Sequence, residues 1–464
     1  MSPTAPTAPP ADAHADSTAA APQHTGGPRR RTLLTAAAGL PLAGLGLSAC
    51  GTDLLPGGGG DEPDLAAELP RREPGPAEGA GEKVVPFTAR MLALIDREEV
   101  NAVCSPLSAQ TALTMAALGA AGATRAQMEE ALSGTVEELA ETANTLSAVL
   151  AAVADRARED DDPDAPEPAV ASLVNSTWLQ EGFEVEQLYL DALAQWFGSG
   201  VFEVDYIDPG AREAGRERIN DWVLEQTNDL IEELIPPDAL SEDTRLVLVN
   251  ALHLKASWPA PLEKTGGTFT TSGGEQVSAE MLRGSTSSWY EDALCQATAL
   301  AAAGGELALA LVLPVGSPAE VLDAWAESAD DPAAGLGALL AGLENAQETV
   351  DVTVPAIDID WDSSLVDLLR ELGMADAFTD IADFSGISTA EKLLISDVIQ
   401  KAVLTVDENG MEAAAATAVV MEAGSAPLEP KELVLDRPFL VVAYERTTLA
   451  PLVAGWIGDP TQTR

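Results

Sequence analysis

The side chains that could supply a nucleophile, a general base or a metal ligand are scarce in this chain. Of its three histidines, His14 and His24 lie in a leader rich in Ala, Pro and Thr. Without that leader His253 is the only histidine, so a His-rich metal site is excluded, and any Ser-His or Cys-His mechanism would have to use this residue. His253 lies in an apolar segment, which favours a sheet residue over a catalytic base.

Three cysteines, Cys50, Cys104 and Cys295, cannot build a disulfide framework. We interpret Cys104 and Cys295 as buried, small hydrophobic residues rather than redox groups. The motifs Gly-x-Ser-x-Gly, Gly-x-x-x-x-Gly-Lys-Ser/Thr, His-Glu-x-x-His and Ser-x-x-Lys are all absent from the sequence. The residue types therefore predict no enzyme, no metal site and no cofactor.

Acidic residues dominate the charge of the chain. It has 75 Asp and Glu residues against 25 Lys and Arg, a formal net charge of −50. At this density pairs of carboxylates occur everywhere, so two-carboxylate glycosidase chemistry is neither supported nor excluded. The lack of a basic stripe argues against a nucleic-acid partner and against polybasic docking on a membrane.

The elements that must position any functional residues follow a simple order. Hydrophobic residues make up 46 % of the chain, which is enough for a large core. Helical periodicity dominates the first half, including one long amphipathic helix predicted over 212–235, and strands dominate the second half. Helices mainly first and strands mainly last predict an α+β fold rather than a doubly wound parallel sheet.

The N-terminal segment has the layout of an export signal. Arginines at 29–31 precede an apolar run over 32–47, which ends in Leu-Ser-Ala before Cys50. The run is shorter than the roughly 20 residues of a transmembrane helix. Leu-Ser-Ala-Cys resembles the bacterial lipobox, whose cysteine is lipidated and becomes the mature N-terminus, and the arginines also resemble a twin-arginine signal. A plain secretory signal is the alternative interpretation.

We therefore predict three parts of the chain. Residues 1–49 are an export signal, residues 50–82 are the lipidated Cys50 and a flexible tether rich in Pro, Gly and Glu, and residues 83–464 are one folded domain. The leader thus predicts a bacterial protein that is exported and either anchored to the outer face of the cell membrane, through its lipid alone, or extracellular. The export route, general secretory or twin-arginine, stays open.

The most informative stretch runs from Val406 to Ala426. Its Ala-rich centre favours a helix by propensity, but alternate residues from Met411 to Met421 are all apolar or small and fall on one face. That period of two suits a strand that buries small side chains. Gly410 precedes it as a candidate pivot. On this pattern alone, an Ala-rich linker or surface helix and an inserted strand are equally supported.

The segment Val-Asp-Glu-Asn-Gly-Met-Glu-Ala-Ala-Ala-Ala-Thr resembles the start of the reactive-centre loop of the serpins, a family of serine protease inhibitors. Further segments are similar to serpin motifs and occur in serpin order. They are Asn101 with Ser105-Pro106 and Ser108, Asn175 to Trp178, Leu248 to Ala251 with Lys255 and Trp258, Asp383 to Ser388, Arg437 to Phe439, and Gly455 to Pro460. The resemblance covers residues 83–464.

The resemblance implies a serpin fold with three β-sheets, about nine helices and an exposed reactive-centre loop at about 408–430. It also implies a mechanism. A protease cleaves the loop, and before the acyl-enzyme is hydrolysed the start of the loop, its hinge, inserts into the main sheet and carries the protease along. The hydrogen bonds and the packed face gained by the inserted strand drive this trap.

The resemblance also assigns site residues. The hinge consists of Glu408, Gly410, Met411, Glu412, Ala413, Ala414, Ala415, Ala416 and Thr417, and Met411 stands where the family usually has Thr or Ser. The family's spacing puts the scissile bond between Gly424 and Ser425, with Glu422, Ala423 and Ala426 as alternatives. Ser105, Ser108, Asn250, Trp258 and Gln400 match positions that support opening of the sheet, and many members carry His at the position of Gln400. Ordinary capping and core packing is the alternative role of these residues.

The sequence thus predicts a monomer that inhibits an extracellular serine protease, or a cysteine protease, by a suicide mechanism. Small residues from Ala423 to Ala426 predict a target with a shallow specificity pocket, elastase-like or subtilisin-like. No Lys or Arg lies between Lys401 and Lys431, which argues against a trypsin-like target, while Glu422 leaves a Glu-specific protease as a minor option. The main alternative is a non-inhibitory serpin that binds a partner or is a protease substrate, and a surface-anchored hydrolase is a distant third.

Overall fold

The structure, a computed structural model, describes residues 62–159, 169–227, 231, 233–390, 392–411 and 430–463. Several predicted residues lie outside these ranges, namely Cys50, Glu412 to Thr417, the proposed scissile bond Gly424–Ser425 and its alternatives Glu422, Ala423 and Ala426. Asn250 and His253 are described through their backbones only.

Nine α-helices occur in the described part of the chain. They are α1 Val84–Leu94, α2 Pro106–Ala117, α3 Gly122–Ala131, α4 Val136–Glu159, α5 Gln187–Phe197, α6 Pro209–Gln226, α7 Pro318–Glu327, α8 Gly335–Asn345 and α9 Val366–Leu369. A 3-10 turn, Ala80–Lys83, leads into α1, and the turns Arg370–Met374 and Ala375–Phe378 follow α9. None of the described helices is both long enough and apolar enough to span a bilayer.

Within the described ranges, sixteen strands form three sheets, which we call A, B and C. The strands are β1 Asn101–Cys104, β2 Val170–Gln180, β3 Val201–Val204, β4 Leu246–Ser257, β5 Glu263–Thr270, β6 Gln276–Thr286, β7 Tyr290–Glu291, β8 Cys295–Ala301, β9 Leu307–Pro314, β10 Val350–Pro355, β11 Ile357–Ser364, β12 Asp397–Val406, β13 Gly410–Met411, β14 Lys431–Val434, β15 Phe439–Glu445 and β16 Ala450–Ile457. Sheet A has the order β11-β12-β13-β4-β2-β3, sheet B has β1-β16-β15-β9-β8-β7, and sheet C has β14-β10-β6-β5. The predicted α+β fold with three sheets and nine helices is thereby confirmed.

Sheet A is covered on both faces. On one side, α2 packs against β2, β4 and β16, so it lies between sheets A and B. All twelve residues of α2 are buried, and the helix starts with Pro106 in its first turn, where a missing N–H costs nothing. On the other side, Trp178 and Phe202 stack with their ring centroids 4.4 Å apart and meet Trp222 of α6. The sheet therefore sits in the middle of the body.

The long helix predicted over 212–235 is wrong beyond residue 226, because α6 ends at Gln226. The side-chain oxygen of Asn220 accepts hydrogen bonds from the backbone N–H groups of Leu234 and Ile235, at 3.0 and 2.8 Å. Its amide nitrogen donates to the carbonyl of Ile235 at 2.9 Å. The apolar residues that extended the helical pattern thus return to pack against α6, held there by one buried Asn.

The flexible tether predicted over 50–82 is also wrong for its second half. Residues 62–82 run against the folded body, where Leu65 pairs with Val201 of β3 and Gly75 donates to Thr145 of α4. The composition, rich in Pro and Gly, disfavours regular structure but does not prevent an irregular segment from docking through a few well-placed side chains.

Candidate functional site

The predicted hinge begins inside sheet A. Gly410 and Met411 form β13 between the two central strands, where Met411 lies opposite Ala256 of β4 and Val406 of β12. Only 1 % of the Met411 surface is exposed, and the side chain belongs to the same apolar cluster as Trp258 and Val406. The loop predicted to be exposed from about residue 408 is therefore buried at its first strand residues, because an apolar side chain here completes the core between β4 and β12.

A compact turn holds the strand in this position. The carboxylate of Asp407 accepts hydrogen bonds from the backbone N–H groups of Asn409 and Gly410, at 2.7 and 3.0 Å. Trp258 fastens the turn to β4: its backbone N–H donates to the carbonyl of Asn409 at 2.7 Å and its indole N–H to that of Asp407 at 3.0 Å. A Cβ at Gly410 would lie 2.3 Å from the carbonyl oxygen of Ala256, so only glycine fits here.

Glu408 is held from the neighbouring sheet C. The ammonium group of Lys264 lies 2.9 Å from the Glu408 carboxylate and 3.2 Å from that of Glu280. The hydrogen bond from Lys264 lowers the pKa of Glu408, and the two carboxylates, Glu408 first, raise the pKa of Lys264. Because all three side chains are partly exposed, this pair orients the turn more than it stabilises the fold.

At their other ends, β4 and β12 pair with each other directly. The direct pairs that the structure describes between these parallel strands run from Val247 opposite Asp397 to Asn250 opposite Gln400. Six residues further along each strand, at Ala256 and Val406, β13 stands between them. The two central strands of sheet A are thus joined at one end and separated by an inserted strand at the other.

The N-terminus of α2 supports the joined end. The Gln400 side chain accepts a hydrogen bond from the backbone N–H of Ser105 at 3.0 Å and donates to the Ser105 carbonyl at 2.8 Å. The Ser105 hydroxyl donates to the carbonyl of Leu452 in β16, at 2.8 Å. Gln400, at the position where many family members carry His, therefore connects β12 to the backbone N–H and carbonyl of Ser105. Through the Ser105 hydroxyl this contact continues to sheet B.

Four buried polar side-chain atoms have no partner within hydrogen-bond distance in the described part of the chain. They are Ser108 Oγ, Asn175 Oδ1, Thr177 Oγ1 and the hydroxyl of Tyr189. Ser108 belongs to α2, Asn175 and Thr177 to β2, and Tyr189 to α5. Burial raises the pKa of Tyr189, so its hydroxyl keeps its proton. No pattern in the sequence indicated this cluster.

The predicted site residues thus fall into three groups. Glu408, Gly410, Met411 and Trp258 meet at one end of the joint between β4 and β12, and Ser105, Gln400 and the backbone of Asn250 meet at the other. Ser108 belongs to the unpartnered cluster. The rest of the hinge and the scissile bond lie outside the described residues.

The remaining candidates for chemistry are not placed for it. Cys104 and Cys295 are free and buried, as predicted. Burial raises the pKa of both thiols, to about 12 for Cys295, so neither is a thiolate at neutral pH. Among the residues that the structure describes, no three His, Cys, Asp or Glu side chains come together to hold a metal ion.

Comparison with known proteins gives consistent matches. The family model described as serpin (serine protease inhibitor) matches residues 82–460. A serpin-like protein of Thermococcus kodakarensis is 32 % identical over 371 residues, which are 78 % of this chain and 81 % of that protein. Serpin B4 of Homo sapiens is 30 % identical and covers 78 % of this chain and 94 % of its own length.

A serine protease inhibitor of Cyanea capillata is also 30 % identical, over 79 % of this chain and 94 % of its own length. Among solved structures, the thermophilic serpin tengpin in its native state matches with a TM-score of 0.72 at 24 % identity. That match covers 85 % of this chain and 97 % of tengpin. At this identity it shows the fold alone.

Proposed function

Because this chain belongs to the serpin family, whose members are mostly inhibitors of serine proteases rather than enzymes, we propose that it traps an extracellular serine protease by a suicide mechanism. In this mechanism the protease cleaves the reactive-centre loop, and the hinge continues the insertion that Gly410 and Met411 begin. The protease, still bound as an acyl-enzyme, is carried with the hinge and distorted.

The register of β13 is the observation that carries this proposal. Met411 lies opposite Ala256 and Val406 in an antiparallel arrangement on both sides. Six residues beyond Met411 is Thr417, six before Ala256 is Asn250, and six before Val406 is Gln400. A hinge that extended β13 in the same register would therefore bring Thr417 between Asn250 and Gln400, which now pair with each other.

The side chains agree with this register. On the inward face, Ala413 would lie between Leu254 and Leu404, and Ala415 between Leu252 and Ala402. All four of these strand residues are buried in the apolar cluster that already contains Met411. Continuing by twos, Val419 would lie between Leu248 and Val398. Small and apolar hinge residues would thus meet apolar neighbours.

Thr417 is the one hydroxyl on that face and would meet the one polar pair. Asn250 and Gln400 form this pair, and the unpartnered Ser108 hydroxyl belongs to α2, which packs beneath. A one-residue slip would put Ala416 or Ala418 here and turn Glu412 towards the core, at the cost of burying a charge. Composition and register therefore select the same insertion. Each backbone hydrogen bond that the new strand gains would contribute about 1 kcal/mol, so a strand of about ten residues would gain on the order of 10 kcal/mol.

The experiment uses the chain from Gly51 onward with pancreatic elastase and, separately, with subtilisin. Denaturing gels and mass spectrometry would follow the products. We expect a complex that survives SDS and a released C-terminal peptide that starts at Ser425. Cleavage within the loop that leaves the protease fully active, with no complex at any ratio of inhibitor to protease, would contradict suicide inhibition of these two enzymes.

Met411 supports one other function, that of a non-inhibitory serpin which is cleaved as a substrate or binds a partner. Its side chain is larger than the Thr or Ser usual at this position and is fully buried, so it anchors the start of the loop in the native sheet. The variant Met411→Thr separates the two functions. If trapping appears only in this variant, the natural protein is a substrate-like serpin; if trapping is present in both proteins, this second function is excluded for the proteases tested.

For localisation, we propose export and lipid anchoring through Cys50, which rests on the signal layout and the lipobox resemblance. Growth of the producing bacterium with an alkyne analogue of palmitate would label the membrane-bound protein. The variant Cys50→Ala should lose the label and appear in the medium. Release of the natural protein without label would favour the plain secretory signal instead.

A further inference from the structure

Residues 62–82 form a segment that we call the strap, and it begins at the free edge of sheet A. The edge strand is β3. Leu65 and Val201 exchange two backbone hydrogen bonds, at 2.9 and 2.8 Å. The Asp64 carboxylate accepts a hydrogen bond from the backbone N–H of Glu203 at 2.8 Å and another from the Arg218 guanidinium of α6 at 3.0 Å. The start of the strap is thus fixed to β3 and to the helix that covers it.

The middle of the strap crosses α5 and α4. The backbone N–H of Arg72 donates to the carbonyl of Gln195 at 2.7 Å, and its guanidinium lies 4.1 Å from the centre of the Trp196 ring. Arg71 donates to the side-chain oxygen of Asn144 at 2.7 Å, and Asn144 donates in turn to the carbonyl of Arg72 at 3.0 Å. Both partners of the strap here are helices packed beside sheet A.

The end of the strap is attached to sheet B. The backbone N–H of Gly81 donates to the carbonyl of Thr448 at 3.1 Å, in the turn between β15 and β16. A Cβ at position 81 would lie 2.2 Å from that same carbonyl oxygen, so the close approach requires glycine. The strap therefore connects the outer edge of sheet A with sheet B.

Contacts with the strap account for the residue types at two positions of the folded body, Gly200 and Asn144. A Cβ at Gly200 would have three strap atoms as its nearest neighbours, beginning with the Leu65 carbonyl oxygen at 2.2 Å. Gly200 does not have the left-handed backbone that would otherwise call for glycine. Asn144 is 1 % exposed, and the hydrogen bonds described for its side chain all go to strap residues. The body thus carries a cleft and a buried amide that fit this segment.

We infer that the strap restrains the opening of sheet A and so sets how fast the hinge can insert. This inference rests on the proposed function. A strand inserted along the joint moves β4, β2 and β3 away from β12 by one strand spacing, about 4.8 Å. Gln400 ties β12 to α2 and sheet B, whereas the strap ties β3 to helices and to sheet B. Because β3 moves and sheet B does not, contacts of the strap must stretch or break before the hinge is fully inserted.

The test measures opening of the sheet without any protease. A fluorescent peptide with the sequence of residues 411–424 is the probe, and its incorporation into the chain from Gly51 onward is followed on native gels. Leu65→Pro removes the N–H that donates to Val201, and Gly200→Ala pushes the strap away from the side of the body. We expect incorporation to be about tenfold faster in each variant, the factor for roughly 1.4 kcal/mol of lost hydrogen bonding.

Gly266→Ala is the matched control, since a Cβ there meets nothing within 4 Å and the residue also lies in a strand. The double variant Leu65→Pro, Gly200→Ala should be no faster than either single variant, because both release the same segment. Equal rates in the natural chain and the variants, including no incorporation in any of them, would overturn the restraint. The two proposals can fail separately. If the variants incorporate the peptide faster than the natural chain, but elastase and subtilisin cleave the loop without being trapped, the restraint by the strap stands and the inhibitory function fails.

Discussion

Sheet A receives a segment from elsewhere in the chain at two places, its central joint and its outer edge. At the joint, β13 enters between β4 and β12 and buries Met411 in an apolar cluster. At the edge, the strap is fastened by Asp64, Leu65 and paired polar side chains. The first contact is fixed by strand register, and in the proposed mechanism it would be extended residue by residue. The second is matched by specific polar pairs, so it holds one position.

This difference assigns the two contacts opposite effects on the same movement. In the proposed mechanism, extension at the joint would drive the sheet apart, and retention at the edge would keep it together. The proposed inhibitor would have to be stable before cleavage and fast after it, and two separate contacts would allow each property to change without the other. The predictions below alter one contact at a time, from the largest expected effect to the smallest.

The largest effect is expected at the inward face of the hinge. Ala415→Glu would place a charge between Leu252 and Ala402, and an unpaired buried charge costs at least several kcal/mol. Trapping of subtilisin or elastase should therefore fall by about a hundredfold or more, while cleavage of the loop continues. Ala414→Glu is the matched control, because in the proposed register its side chain would point to the other face of the sheet. Equal loss of trapping in both variants would contradict the proposed register.

Next in size is the anchor at Met411. Met411→Ala removes most of a fully buried side chain, so we expect the free energy of unfolding, measured in urea, to fall by about 2–3 kcal/mol. Met411→Leu conserves the volume and should lose less than about 1.5 kcal/mol. An Ala variant as stable as the natural protein would show that the hinge does not contribute to the native sheet.

In the strap, we expect the loss of a polar contact to lower the free energy of unfolding as well. Arg71→Ala leaves the buried Asn144 oxygen without its donor, which we expect to cost about 1–3 kcal/mol of unfolding free energy. In the background Asn144→Leu, the same change should cost much less, because the amide that needs a partner is gone. Chemical denaturation of the four proteins measures this coupling. Additive losses would mean that the two residues act independently.

Part of this organisation was predictable from the sequence and part was not. The alternation from Met411 to Met421 offered an inserted strand as one of two alternatives, because a period of two is a local property of the chain, and its first residue, Met411, lies in β13. The true end of α6 depends on Asn220, and the docking of the strap depends on Gly200 and Asn144. In these cases a common residue type contacts a partner that is distant in sequence, so no local sequence pattern predicts the contact. The unpartnered atoms beneath sheet A escaped for the same reason, because only packing shows which buried hydroxyls lack a partner.

The smallest effect is expected from the ion pair at the turn before β13. The pKa of Glu408 is lowered from its ordinary value of 4.5 by the hydrogen bond from Lys264, so the pair stabilises the folded protein above that value. This contribution is lost as the pH falls through the lowered pKa of Glu408. The melting temperature of Glu408→Gln should therefore lie slightly below that of the natural protein at pH 7 and converge with it in strong acid. A gap that widens on acidification would assign the effect to another group, and no gap at pH 7 would show that the turn is held by Asp407 and Trp258 alone.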